Sequence, residues 1–269
     1  MIDTVVDTAH RLLEGREYSD LRAFEDGTQH HLFRLRLDRE PYVLKIGRVG
    51  EPFGDSWDRQ RGHIDGLRAE HLAIELTRAP APKPSLLLSD DPPAVLQPHI
   101  RGESAQTLWE RGRLGEQGLL DACFGMGFAL ASVHATKRPA DPGAIPDLPR
   151  ADFDPAKARL LHMDYHLGNV QVLPDRRHGY KVSGIVDWVL CRWGEREADV
   201  VEMSISVFRQ VPPARSTFMA GYRKAGGLPM NKAREDLFTL RELVRRLEAG
   251  VDDPKVEARW EKWTEELRR

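Results

Sequence analysis

The chain has 269 residues, 41% of them hydrophobic and 30% charged, which is more than one ordinary core of ~100 to 150 residues needs and short of two, so one domain with two lobes or two small domains is expected. Forty basic residues against 42 acidic ones leave a net charge of -2, too weak a field for a general polyanion binder, and a nucleic-acid partner is not expected. The two cysteines, Cys123 and Cys191, stand far apart and outside any C-x-x-C pattern, which excludes a disulfide scaffold and a cysteine-rich zinc module and suits a reducing cytoplasm.

The chain starts Met-Ile-Asp-Thr-Val-Val-Asp, without the basic segment and apolar run of a secretion signal. Ile2, Val5, Val6, Ala9, Leu12 and Leu13 recur at helical spacing ahead of Gly15, so an amphipathic helix capped by that glycine is predicted. A turn-rich stretch from Phe24 through Gly27 leads to Phe33, Leu35 and Leu37 alternating with Arg34 and Arg36, the period of two of a strand. A turn at Asp38 to Glu40 then enters Tyr42-Val-Leu-Lys45-Ile46. Residues 20 to 47 therefore read as an antiparallel meander of three strands, with one lysine in the last.

Residues 48 to 65 form a polar, glycine-containing loop, after which Leu67, Ala69, Leu72, Ile74 and Leu76 set a helical pattern around Glu70. Pro80, Pro82 and Pro84 end it, and two short apolar runs, Leu86 to Leu88 and Ala94 to Leu96, precede Pro98-His-Ile-Arg-Gly102. Helical patterns follow over 104 to 111 and 116 to 136. The longest small-or-apolar run, Ala122 to Val133, reads as a buried helix well short of the ~20 residues that span a bilayer, so no membrane association is expected. Beyond a Pro- and Gly-rich connection from Pro139 to Pro149, short strands around Val170, Val172, Val182 and Ile185 flank a turn at Pro174 to Gly179. Helical periodicity with interleaved charges returns from residue 199, the mark of solvated faces. Trp188 and Trp193 read as packing residues, Trp260 and Trp263 as a staple for the last helix, and His30, His31, His99 and His178 as surface or loop histidines.

The densest chemistry lies in Leu161-His162-Met-Asp164-Tyr-His166-Leu-Gly168-Asn169-Val170 and, eighteen residues after Asn169, in Gly184-Ile-Val-Asp187-Trp188. Two carboxylates and one amide in a short strand-loop-strand unit suit phosphoryl transfer. One carboxylate orients or deprotonates an attacking hydroxyl, while an amide oxygen and a second carboxylate hold magnesium against the phosphates.

These residues resemble the catalytic core of the aminoglycoside phosphotransferase and choline kinase group, whose fold is similar to that of protein kinases. The resemblance extends upstream in the correct order. Val43-Leu-Lys45 matches the phosphate-contacting lysine strand, Glu70 its helical partner, Leu96-Gln97-Pro98-His99-Ile100 the linker between lobes whose backbone meets the adenine, and Phe128 to Ala135 the helix ending in Leu-His-Ala in relatives. What the resemblance implies is an α+β, bilobal protein-kinase-like fold: an antiparallel-sheet nucleotide lobe over residues 1–97 with one main helix, and a mostly helical lobe over 98–269 carrying the catalytic loop and acceptor site. It implies an ATP- and Mg2+-dependent transfer of the γ-phosphate to a hydroxyl of a small molecule, with GTP as the alternative donor. Asp164 is the expected base or hydroxyl-orienting residue, Asn169 and Asp187 the magnesium ligands, and Lys45, Glu70, Gly27, Gln97 and His99 the nucleotide-binding set. His162 and Asp199 are expected to support the loop.

Three departures qualify the resemblance. Gly27 stands alone where protein kinases carry G-x-G-x-x-G; Trp188 replaces the glycine of a mobile switch after Asp187; and only 27 residues separate His134 from His162, so the acceptor wall is trimmed. The acceptor is therefore open between an aminoglycoside-like antibiotic and a metabolite such as choline, homoserine or a sugar. Glu195, Glu197, Glu202, Asp236 and Glu242 are candidate contacts for a polycation. Two other readings are a nucleotide-binding pseudokinase module and a hydrolase with a metal held by His162, Asp164 and His166.

Overall fold

The computed structural model describes residues 2–24, 30–48, 66–148, 155–176 and 179–248. Helix α1 (Ile2–Leu12) opens the chain, and Gly15 follows at φ +78°, a left-handed conformation that glycine adopts without a Cβ penalty. The predicted meander is formed by β1 (Tyr18–Ala23), β2 (His30–Leu37) and β3 (Glu40–Gly47), and β4 (Leu86–Asp90) and β5 (Pro93–Pro98) complete a five-stranded sheet in the order β1-β2-β3-β5-β4.

Residue parity divides this sheet into two faces. Phe33 pairs with Leu44, Leu44 with Leu96 and Ile46 with Ala94, and all five pack with Ala9 and Leu13 of α1 into a small core. One residue out of step, Leu32 pairs with Lys45, Lys45 with Val95 and Val43 with Gln97. Opposed residues share a face, so Lys45 and Gln97 project from the side away from α1.

Helix α2 (Gly66–Leu76) contributes Ala69, Ala73 and Ile74 to a second, larger core. That core belongs mainly to the rest of the chain, including α3 (Ala105–Glu110), α4 (Gly115–His134), α5 (Val201–Ser206) and α6 (Pro212–Lys224), while α7 (Lys232–Glu248) packs Leu243 with Val201 and Ile205 in a separate small cluster. Two small sheets lie among these helices: β6 (Glu103–Ser104), β8 (Val170–Asp175) and β9 (Gly179–Ile185) form one, and β7 (Arg159–Leu161) pairs with β10 (Arg192–Gly194) in the other. Ser104 caps α3 by accepting the Thr107 N–H at 3.1 Å. Trp188 and Trp193 are fully buried, as packing residues. Gly27, His178, Trp260, Trp263 and the loop over 49–65 lie outside the described residues. Among the described residues no helix is long and apolar enough to cross a membrane.

Helices α4 and α6 meet backbone to backbone at two glycines. A Cβ on Gly127 would sit 1.9 Å from the Phe218 carbonyl oxygen, and one on Gly221 would sit 2.0 Å from that of Phe124. Backbone atoms cannot yield as a flexible side chain can, so either helix must shift to admit a methyl group. Gly221→Ala is expected to destabilise the protein by about 3 kcal/mol or more, read as a lowered urea midpoint, despite the better helix propensity of alanine. An unchanged midpoint would mean that the two helices are not in close register.

Candidate active site

The Lys45 ammonium, 10% exposed, donates to Glu70 Oε1 at 2.7 Å and to Asp187 Oδ1 at 3.3 Å. Glu70 is fully buried; its Oε1 also accepts the Trp188 N–H at 3.4 Å, and its Oε2 has no hydrogen-bond partner. Burial works against the charge on Lys45, but the Glu70 and Asp187 carboxylates outweigh it and hold the amine above its ordinary pKa. One ion-paired group thus ties β3, α2 and the segment after β9.

Asp199, in a 3-10 turn before α5, organises the loop after β7. Its Oδ2 accepts the His162 N–H at 2.8 Å and its Oδ1 accepts the Met163 N–H at 2.6 Å. His134, at the end of α4, donates from Nε2 to Asp199 Oδ2 at 3.0 Å and accepts the Tyr222 hydroxyl at Nδ1, 2.8 Å away. Held from both sides, Met163 takes φ +67°, and Asp187 takes φ +65°, conformations that non-glycine residues adopt only where the surroundings impose them. His162 links the two segments: Nε2–H donates to the Val186 carbonyl at 3.0 Å, and Nδ1 accepts the Asp164 N–H at 3.3 Å. The loop-support expectations for His162 and Asp199 match this geometry.

The loop presents Asp164, Asn169 and Asp187 together. The Asn169 amide donates to Asp164 Oδ2 at 2.9 Å and to its carbonyl at 3.0 Å, which leaves Asn169 Oδ1 as a free acceptor. Asp187 gives Oδ1 to Lys45 and stays 42% exposed, so its other oxygen is also available. These are hard oxygen donors of the kind magnesium prefers. His166 accepts the Gly168 N–H at Nδ1, so the proton of the neutral ring lies on Nε2, 3.6 Å from Asp164 Oδ1. Burial raises the Asp164 pKa, but the facing His166, with His162 and the Asn169 amide, brings it below the usual carboxylate range. Burial likewise lowers the His166 pKa, and Asp164, then Glu202 and Asp187, reverse that and raise it.

These groups converge on a cavity of about 570 Å3, roofed by the sheet face that carries Val43, Lys45 and Gln97 and floored by Asp164, Asn169 and Asp187. Gln97 is 4% exposed and its Nε2 has no partner, an orphaned donor facing the region two residues along the sheet from Lys45. His99, just past β5, gives its N–H to the Pro41 carbonyl at 2.9 Å, and its Nε2 accepts from Arg34 at 3.2 Å. Burial and the neighbouring Arg34 charge lower the His99 pKa. A second cavity of about 570 Å3 adjoins the first, and Asp164 and His166 line both.

Residues 145–243 match the model of a family described as "Phosphotransferase enzyme family". Among solved structures, the aminoglycoside phosphotransferase APH(4)-Ia is similar at 16% identity and TM-score 0.60, covering 97% of this chain and 95% of that one. The spectinomycin phosphotransferase APH(9)-Ia, solved with ADP and spectinomycin, is similar at 15% identity and TM-score 0.58, with 96% and 92% covered. The GDP and kanamycin complex of APH(2")-IIia is similar at 15% identity and TM-score 0.57, with 98% and 95% covered. The chain resembles the aminoglycoside phosphotransferases in sequence pattern and in fold. No curated protein matches it in sequence.

Within this phosphotransferase-like framework, Lys45, Glu70, Gln97, His99, Asp164, Asn169 and Asp187 all gather at one cleft or at its wall, while Gly27 lies outside the described residues. His30 corrects an expectation. It is 9% exposed on the cleft wall rather than a surface histidine, because it shares the parity of Leu32 and Arg34 along β2. That alternation was legible in the sequence. His166 figured there only as a metal ligand, and its contact with Asp164 was missed. The metal-hydrolase reading loses its His162 donor, since both ring nitrogens of His162 are engaged by backbone groups. Among the described residues no cluster of three His, Cys, Asp or Glu side chains is arranged to hold a metal.

Replacing Lys45 by methionine strands the Glu70 carboxylate in the interior, and K45M is expected to cost about 3–5 kcal/mol of stability. The double variant K45M/E70L removes the uncompensated charge and is expected to recover most of that loss. Chemical denaturation of both checks this; a double variant no more stable than K45M would rule out the buried pair as the cause.

Proposed function

We propose that the protein is a small-molecule O-phosphotransferase that moves the γ-phosphate of Mg2+-bound ATP, with GTP as the alternative donor, to a hydroxyl of its acceptor. The single observation that carries this reading is the convergence of Lys45, Asn169, Asp187 and Asp164 on one cavity, across more than a hundred residues of sequence. The similar structures solved with ADP and with GDP support a nucleotide in that cavity. Residues 1–97 are assigned as the nucleotide lobe and 98–269 as the lobe carrying the catalytic loop and the acceptor site. The buried free thiols Cys123 and Cys191 are compatible with a cytoplasmic enzyme.

In this reading the base lies under the sheet between Val43 and Gln97, and the phosphates reach Lys45. Glu70 keeps the ammonium in place. Asn169 Oδ1 and Asp187 would hold the magnesium, which would supply neutralisation of the phosphate charge. Asp164 accepts a hydrogen bond from the acceptor hydroxyl and takes its proton at a carboxylate oxygen as the new oxygen–phosphorus bond forms and the bond from the γ-phosphorus to the bridging oxygen breaks, releasing the nucleoside diphosphate. Its lowered pKa makes it a weak base. Its main contribution is therefore alignment, with proton transfer late, as suits a reaction governed by positioning and electrostatics. The Asn169 amide and His166 fix the direction of that carboxylate.

MgATP or MgGTP, present at about 100 times its dissociation constant, is expected to stabilise the folded protein by roughly 2.7 kcal/mol and so raise Tm by several degrees. Asp187→Ala should lose that shift. Asp164→Asn should keep it while acceptor-dependent release of nucleoside diphosphate falls about 100-fold or more. No shift with either nucleotide in the wild type would overturn the reading, and a shift without transfer to any hydroxyl would favour a pseudokinase.

A further inference from the structure

One side chain of the nucleotide cleft has a polar group that the fold itself does not use. Gln97 is 4% exposed, and its Nε2 has no hydrogen-bond partner. A buried amide donor left unmet loses its hydration without a compensating bond. Its surroundings do not call for an amide. Across the sheet Gln97 is paired with Val43, its same-face neighbour two residues back is the fully buried Val95, and Ile100 and Val186 line the same cavity. A leucine or methionine would fill the position with no polar group to satisfy. Arg34 and His99, which also line the cavity, face each other at 3.2 Å.

Placement says what the amide can meet. Gln97 lies two residues along and one strand across from Lys45, roughly 8 Å at the backbone by strand geometry. That offset is of the order of a nucleoside's length. Phosphates at Lys45 put the sugar, and with it N9 of a purine, on the Lys45 side, so the opposite edge, which carries position 6, faces Gln97. Val43 on the sheet and Val186 beside Asp187 offer aliphatic surface to the faces of such a ring. Val186 is fixed through both its backbone groups: its N–H donates to the Asn169 carbonyl at 2.9 Å, and its carbonyl accepts from His162 at 3.0 Å.

A primary carboxamide offers one donor and one acceptor side by side. At the position-6 edge adenine presents an amino donor beside a ring-nitrogen acceptor, and guanine a carbonyl acceptor beside the N1–H donor, so the amide is complementary to either by turning over. Building on the phosphotransferase reading, we infer that the Gln97 carboxamide reads the position-6 edge of the donor nucleotide's base through a pair of hydrogen bonds, at the expense of stability in the nucleotide-free chain. The device admits both ATP and GTP and disfavours a purine with no hydrogen-bonding group at position 6.

The test is calorimetric titration of the full chain with the magnesium complexes of ATP, GTP and purine riboside 5′-triphosphate, whose base carries only hydrogen at position 6, together with urea denaturation of the nucleotide-free chain. The wild type should bind ATP and GTP about tenfold or more tightly than the riboside analogue. Gln97→Met keeps the length of the side chain and removes the amide. It should bring all three to the analogue's affinity while the urea midpoint stays level or rises. Gln97→Leu should behave alike, which separates loss of the amide from the packing of one particular side chain. A wild type that binds either ATP or GTP no better than the analogue, a gap that persists in both variants, or a midpoint lowered in both would overturn the inference. Triphosphates that bind with no such gap defeat this inference alone. A chain that binds none of the three defeats the phosphotransferase reading with it.

Discussion

The structure depends most on the balance of one buried positive charge. An ammonium as shielded as that of Lys45 is tolerated only with anionic partners, and the partners come from two distant places, Glu70 on α2 and Asp187 after β9. Such a pair is a poor source of net stability, since desolvation offsets most of the attraction. Its consequence is geometric. Helix α2 packs into the helical core yet must present Glu70 to the sheet, and the Asp187 segment must come within 3.3 Å of the same amine. The cleft follows from that requirement.

A second constraint acts from below. Asp199 gathers two backbone N–H groups and the His134 ring, fixing the loop that carries Asp164 against α4, while Gly127 and Gly221 let α6 lie directly on α4. The His134–Tyr222 hydrogen bond joins these two devices. The floor of the cleft is therefore rigid because its support is polar and fully partnered at the loop and backbone-tight at the helices. The positive φ values at Met163 and Asp187 are sustained by that support.

Much of the site was legible in the sequence because its parts are short and local. The alternation in β2 and β3 determines which side chains share a face, and the spacing from Asp164 to Asn169 permits the amide to reach back to the carboxylate within one turn. What local pattern could not convey was partnership across distance. The burial of His30 depends on what lies beneath the sheet, which no local pattern expresses. Glu202 and Arg246, 44 residues apart, belong to a stretch of interleaved charges in which no local pattern tells that they pair.

The sequence by itself determined the composition of the machinery: a lysine strand, a glutamate helix, the His-x-Asp loop with its asparagine, and a second aspartate, in the order of a kinase-like chain. It did so because hydrophobic periodicity and motif spacing are properties of contiguous residues. Only the tertiary structure decided how charge is distributed between the two cavities that meet at Asp164. Whether a given acid is free to receive a ligand or is neutralised by an arginine depends on distances of a few ångströms between segments far apart in the chain.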